Sequence, residues 1–201
     1  MFSPVKGTMS MALALVASAH AATTVRVCVN SGTSVSTFIF ARAEAITGRM
    51  FKGAGIALDW HSVANARCRG LQPARSVKLD FVAGRPAGEH PGALAYAQPY
   101  EADRVVVLYD RVEASADGPT QVSTLLAHVI AHEITHLLQG ISRHSETGVM
   151  KAQWSAHDFL QMAYKPLPFT PEDVDLIHRG LRRFAASADS VASLAVPAEL
   201  H

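Results

Sequence analysis

Cysteine is scarce in this chain: Cys28 and Cys68 are the two among 201 residues. No C-x-x-C spacing joins them, which argues against a dithiol redox centre or a thiolate metal cluster as the working chemistry. Charge is sparse too, at 17% of residues with a net charge of +1. The densest basic group, Arg179, Arg182 and Arg183, reads as the solvated face of a helix. Neither nucleic acid nor an anionic membrane is therefore an expected partner. Beyond the N-terminal stretch no run approaches the 18 or so apolar residues of a permanent membrane span. Internal repeats and low-complexity segments are absent.

Apolar residues make up 49% of the chain, enough for one domain with a sizeable core. The N-terminus has a distinct pattern: Lys6, an apolar run from Met9 to Ala19, then the small residues of Ala19-His20-Ala21. That pattern predicts a signal peptide over 1–21, a folded domain over 22–189 and a disordered tail over 190–201. The protein is accordingly expected to be exported, either secreted or periplasmic, with no stable membrane anchor after cleavage. In an oxidising compartment Cys28 and Cys68 are expected to form one disulfide.

Along the domain, Thr24–Val29 alternates as a strand and Val35, Phe38, Ile39, Ala43, Ile46 and Met50 carry helical spacing. Ile56–Trp60 and Val77–Val82 read as further strands, separated by a turn-rich segment. Gly84–Gly92, with its prolines and glycines, reads as a loop. In Ala93–Gln98 the small residues Ala93, Ala95 and Ala97 alternate with Leu94, Tyr96 and Gln98, and Pro99 closes the run as an edge strand. Arg104–Tyr109 is a β-branched strand. Gly118-Pro119-Thr120 opens a long helix that Gly140 ends. Gly140–Met150 is irregular, a short helical stretch follows at Ala156–Tyr164, and Thr170-Pro171-Glu172-Asp173 starts a final helix running to about Ala186. The order predicts a single α+β domain with a mixed, twisted sheet of four to five strands.

The long helix carries the run His132-Glu133-Ile134-Thr135-His136. Histidines four apart project from one helical face on successive turns, the separation two imidazoles need to share a tetrahedral zinc. Glu133 stands one position round, where a carboxylate reaches a zinc-bound water as general base without itself binding metal. The surrounding Leu125, Leu126, Val129, Ile130, Leu137 and Leu138 make the helix largely buried, and buried His and Glu without partners would be costly. One catalytic Zn2+ resolves that cost. His128 lies on the same face, but two turns from His136, and is expected to pack or support rather than ligate.

Downstream stands Gly140-Ile141-Ser142-Arg143-His144-Ser145-Glu146-Thr147-Gly148-Val149-Met150. With the helix motif, this resembles the metzincin clan of zinc metallopeptidases, in which a glycine ends the active-site helix and a third histidine completes the site. A methionine turn then passes beneath the metal. The resemblance implies a zincin-like domain, His144 as third ligand and Met150 as the turn methionine. The spacing departs from the clan pattern: glycine and histidine follow His136 by four and eight residues instead of three and six. It is similar to a group of short exported bacterial proteins that share the longer spacing. Glu146, His157, Asp158 and Glu172 are the other candidate third ligands. Histidine is the commoner companion to two imidazoles in a water-activating site.

An exported zinc endopeptidase is the function expected, its peptide or protein substrate pairing by strand addition with Ala93–Gln98. A zinc amidase acting on a non-protein amide, and a zincin-like binding module with little turnover, are the alternatives. Substrate identity and oligomeric state are not legible in the sequence.

Overall fold

The computed structural model describes residues 23–32, 35–69, 76–83, 92–98 and 104–194. The expected leader over 1–21, most of the Gly84–Gly92 loop and the chain after 194 lie outside the described residues. Among the described residues, five strands form one sheet: β1 (Thr23–Asn30), β2 (Ile56–Ser62), β3 (Ser76–Val82), β4 (Ala95–Gln98) and β5 (Arg104–Leu108). Their order is β2-β1-β3-β5-β4. All neighbours are parallel except β4, which runs antiparallel to β5 at the sheet edge.

Alternation along each strand separates two faces. Val25 and Val27, Val77 and Leu79, and Val105 and Val107 point to one side and enter the core. Full burial of each such side chain contributes roughly 1.5–3 kcal/mol relative to leaving it in water. The intervening positions carry charge: Arg26 pairs with Asp59 at 3.5 Å and Arg104 with Asp80 at 2.6 Å. One face is thus apolar and covered by helices, as in an α+β domain, while the other is mixed, with these ion pairs beside the buried Cys28, Val106 and Leu108.

Helix α1 (Thr37–Gly53) makes the crossover from β1 to β2. It packs on α3 (Gly118–Gln139), and the Thr47 hydroxyl donates across the contact to the Ala127 carbonyl at 3.1 Å. Nearly every residue of α3 from Val122 to Gln139 is buried, so this helix runs through the core. Two further helices follow α3 in the chain, α4 (Ala156–Tyr164) and α5 (Pro171–Leu194). The latter continues well past its expected end near Ala186, through the alanine-rich 185–192, a composition with high helix propensity. A short helix, α2 (Tyr109–Ala114), follows β5 directly where the sequence pattern predicted only the strand's last residue.

Cys28 on β1 and Cys68, in a single 3₁₀ turn after β2, are joined as the expected disulfide, with Cα atoms 5.9 Å apart. Among the described residues no helix is long and apolar enough to cross a membrane.

Candidate metal centre

The site begins at the C-terminal half of α3. His132 and His136 lie one turn apart on the same face, with ring centroids 4.7 Å apart and Nε2 atoms 3.0 Å apart. Gly140 ends the helix with φ +65°, a left-handed conformation that costs glycine little. The chain turns there, and the Ile141 carbonyl returns to within 3.2 Å of His136 Nδ1. His132 Nδ1 lies 2.9 Å from the Val149 carbonyl.

These two carbonyls fix the tautomers. A carbonyl only accepts, so both Nδ1 atoms carry the proton and both Nε2 atoms present lone pairs to each other. Burial acts first on both rings and lowers their pKa, to about 4 for His132, against the raising effect of the carbonyls. Two neutral acceptors facing at this distance repel unless a cation sits between them.

The segment after Gly140 delivers the third imidazole. The His144 ring centroid is 5.3 Å from that of His132 and 5.0 Å from that of His136, and one ring nitrogen from each of the three lies within 4.8 Å of the others. The three nitrogens suit zinc: Zn–N bonds of about 2.0–2.1 Å in tetrahedral geometry separate ligand nitrogens by roughly 3.3 Å. His144 itself is exposed, so the cluster opens to solvent on one side. The other carboxylates weighed as ligands are engaged elsewhere: Asp158 accepts from Lys151 and Ser155, and Glu172 from Arg143 at 2.5 Å. His157 and Glu146 are exposed and do not join the cluster.

Met150 is fully buried, and its carbonyl accepts the Ser145 N–H at 2.7 Å, closing the loop that carries His144. At Gly148, φ is +78° and an added Cβ would lie 2.3 Å from the Pro168 carbonyl oxygen, so only glycine fits this turn. His128 stands apart from the cluster. Its Nδ1–H donates to the Thr124 carbonyl at 2.7 Å and its Nε2 accepts the Leu167 N–H at 3.0 Å, so it braces the segment before α5.

Glu133 faces the same cleft. The Ala97 N–H of β4 donates to its carboxylate, while burial, the larger influence, pushes its pKa up to about 7. The cleft, about 640 Å³, has Gly92–Ala97 as one wall and Lys151–Trp154 with Phe159 on the other side, above the histidines and Glu133.

The ladder between β4 and β5 determines what that wall presents. Leu108 N–H donates to the Leu94 carbonyl at 2.9 Å, and the register pairs Tyr96 with Val106. In an antiparallel pair the bonded residues alternate, so the backbone groups of Ala95 and Ala97 point away from β5, along what is the sheet's edge among the described residues. That agrees with the Ala97 N–H reaching Glu133.

Two features of the site carry no local sequence signal. Trp154 sets its edge against the His132 ring at 5.8 Å and donates from Nε1 to the Val149 carbonyl at 3.2 Å, the carbonyl that also receives His132. Asp173, read as a helix-start acid, is a fully buried carboxylate bound to the His144 loop. Its spacing from Arg143 and Ser145 follows no periodic pattern.

No family model matches the chain, and no curated protein matches it in sequence. Solved structures similar to it include an archaemetzincin and a zinc-dependent peptidase. The archaemetzincin of Methanopyrus kandleri is 17% identical, with 84% of this chain and 100% of that chain covered at a TM-score of 0.46. A zinc-dependent peptidase from Methanocorpusculum labreanum (strain Z) is 11% identical, with 76% of this chain and 99% of that chain covered at a TM-score of 0.49.

Proposed function

We propose that the chain is a zinc-dependent endopeptidase of the zincin type, exported, with His132, His136 and His144 holding one ion and Glu133 as general base. The observation that carries this reading is the convergence of three imidazole nitrogens beside a carboxylate that itself touches the edge strand. A zinc ion held there would supply a Lewis acid that polarises the scissile carbonyl and acidifies the attacking water. Glu133 takes the proton released in the attack and returns it to the departing amine. An extended substrate adds to the open edge of β4, its backbone aligned with Ala95, so the scissile bond lies beside Glu133.

Internal bonds are the expected targets. Among the described lining residues Lys151 is the one lysine or arginine, and Asp158 holds it in an ion pair, so these residues offer no spare ammonium or guanidinium to a substrate's terminal carboxylate. The disulfide supports export, since such bonds persist in oxidising compartments.

The test is digestion of a peptide library by purified protein, with metal analysis alongside. One zinc per chain and internal cleavage abolished by a chelator are expected. Stoichiometric zinc without chelator-sensitive cleavage would leave a metal-binding module, and turnover confined to non-peptide amides would leave an amidase.

A further inference from the structure

His132 and His136 are each aimed by a backbone carbonyl on their own Nδ1. His144 stands on an exposed loop and is held differently, through the residues on either side of it. Arg143 Nη1 and Ser145 Oγ both donate to the same atom, Asp173 Oδ1, at 3.1 and 2.6 Å. Arg143 Nη1 also reaches Ser145 Oγ at 3.1 Å, which closes a triangle beneath His144. Asp173 has no exposed surface, and its second oxygen accepts the Thr170 N–H at 2.9 Å. The anchor therefore belongs to the rigid start of α5, not to the loop.

We infer that Asp173 is the positioning residue for the third imidazole: through Arg143 and Ser145 it fixes His144 at the distance from His132 and His136 that shared metal binding needs. This rests on the reading that the three histidines hold zinc. The physical need for such a residue follows from the loop's length. His144 follows His136 by eight positions, and ordering each backbone position costs roughly 1–2 kcal/mol. A buried carboxylate that accepts charge-assisted bonds from both neighbours of His144 offsets that cost before metal arrives. Groups that orient ligands in this way typically change metal affinity about 10–100-fold when removed.

A purely structural role, capping α5 through Thr170, is the competing explanation, and the variants separate the two. Asp173→Asn removes the charge and turns one of the two accepting oxygens into a donor, so the side chain can no longer accept from both the Thr170 N–H and the Arg143–Ser145 pair. The double change Arg143→Ala with Ser145→Ala removes the donors and leaves Asp173 on its helix, which keeps the test alive if the first variant does not fold. Thr170→Ala removes only the bond that the Thr170 hydroxyl accepts from the Asp173 N–H at 3.1 Å and leaves the carboxylate in place. Zinc affinity is read by competition with a chromophoric chelator. The electronic spectrum of the Co2+-loaded protein reads coordination, with His144→Ala as the two-imidazole reference. Asp173→Asn and the double variant are expected to bind zinc about 10–100-fold more weakly and to shift the Co2+ spectrum toward that of His144→Ala. Thr170→Ala is expected to retain parental affinity. Parental affinity and spectrum in both the Asp173 and double variants overturn the inference, as does equal weakening by Thr170→Ala. If His144→Ala binds zinc as tightly as the parent, the three-histidine reading itself falls, and that result is distinct.

Discussion

Gly180 of α5 lies against Leu138 of α3 so closely that a Cβ at position 180 would sit 1.7 Å from the Leu138 carbonyl oxygen. The contact falls two residues past His136, where α3 ends and its last carbonyls lack partners within the helix. Arg183, one turn further along α5, donates to one of them, the Gln139 oxygen, at 2.5 Å. Backbone meets backbone here, so Gly180→Ala cannot be absorbed by a rotamer change and must push the helices apart. A loss of about 3 kcal/mol is expected, at the upper end for overpacked cores. Denaturant unfolding with an unchanged m-value checks it. A loss below about 0.5 kcal/mol, as at an ordinary surface site, would show that the helices do not meet this closely.

That glycine also shows where reading the sequence stops. Within a helical pattern Gly180 registers only as a propensity penalty of about 1 kcal/mol, because the crossing that requires it is 42 positions away in the chain. Local signals were sufficient for α3, opened by Gly118-Pro119 and closed by Gly140, and for β4, whose edge place was legible from Pro99. Helix α2 was not legible: at six residues it is too short to show a period, and burial of Tyr109 and Val112 shapes it. Of the site, the i, i+4 histidines were written in the helix pattern. The resemblance supplied His144. The Asp173 anchor joins segments 28 and 30 residues apart, and no window along the chain contains it.

His128 gives a prediction in pH. Both ring nitrogens are engaged, one donating to Thr124 and one accepting from Leu167, and burial lowers the pKa of the ring. The folded state therefore holds the neutral form, while an unfolded histidine takes up a proton near pH ~6.5. As pH falls through that value the unfolded chain binds more protons, so the contribution of His128 is present above about pH 6.5 and is lost below it. His128→Leu should cost about 2 kcal/mol at neutral pH by leaving the Leu167 N–H unpaired, and the deficit should shrink as pH drops. Ring ¹⁵N spectra of the parent should show the proton on Nδ1 at pH 7. A charged ring in the folded state at pH 6 would refute the assignment.

Asp158 has the same sign from the opposite cause, because here the fold favours the charged form. Burial opposes its charge, but the Lys151 ammonium and the Ser155 N–H and hydroxyl outweigh that and hold the carboxyl at about 2. Its stabilising contribution is complete above the unfolded value of about 3.9 and is lost as pH falls through that window toward the folded value. Asp158 also closes the capping box of α4 with Ser155. Asp158→Asn should therefore cost about 1–2 kcal/mol at pH 7, and parent and variant should converge near pH 2. Unfolding curves at pH 7, 4 and 2.5 measure this. A gap that does not narrow would mean the carboxyl's charge contributes nothing there.

In the proposed function the proton transfer falls to Glu133, and three substitutions separate its possible roles. Its carboxylate touches β4 through the Ala97 N–H rather than joining the nitrogen cluster. Glu133→Gln keeps the size of the side chain but removes its basicity. Zinc content should remain near one per chain while hydrolysis falls about 10²–10⁴-fold, the usual contribution of a positioned base. Glu133→Ala should behave alike in both respects. Glu133→Asp keeps a base but draws it back by about one methylene, roughly 1.5 Å, from the Ala97 N–H. Proton transfer demands hydrogen-bond reach, so this variant should retain more turnover than Glu133→Gln yet stay well below the parent. Substrate affinity should change little across the series, because the proposed backbone pairing is with the edge of β4 rather than with Glu133. Turnover in Glu133→Gln near the parental rate would remove Glu133 from the proton transfer. Loss of zinc from all three variants would instead make it a ligand, and the metal would have to be shared by a different set of side chains.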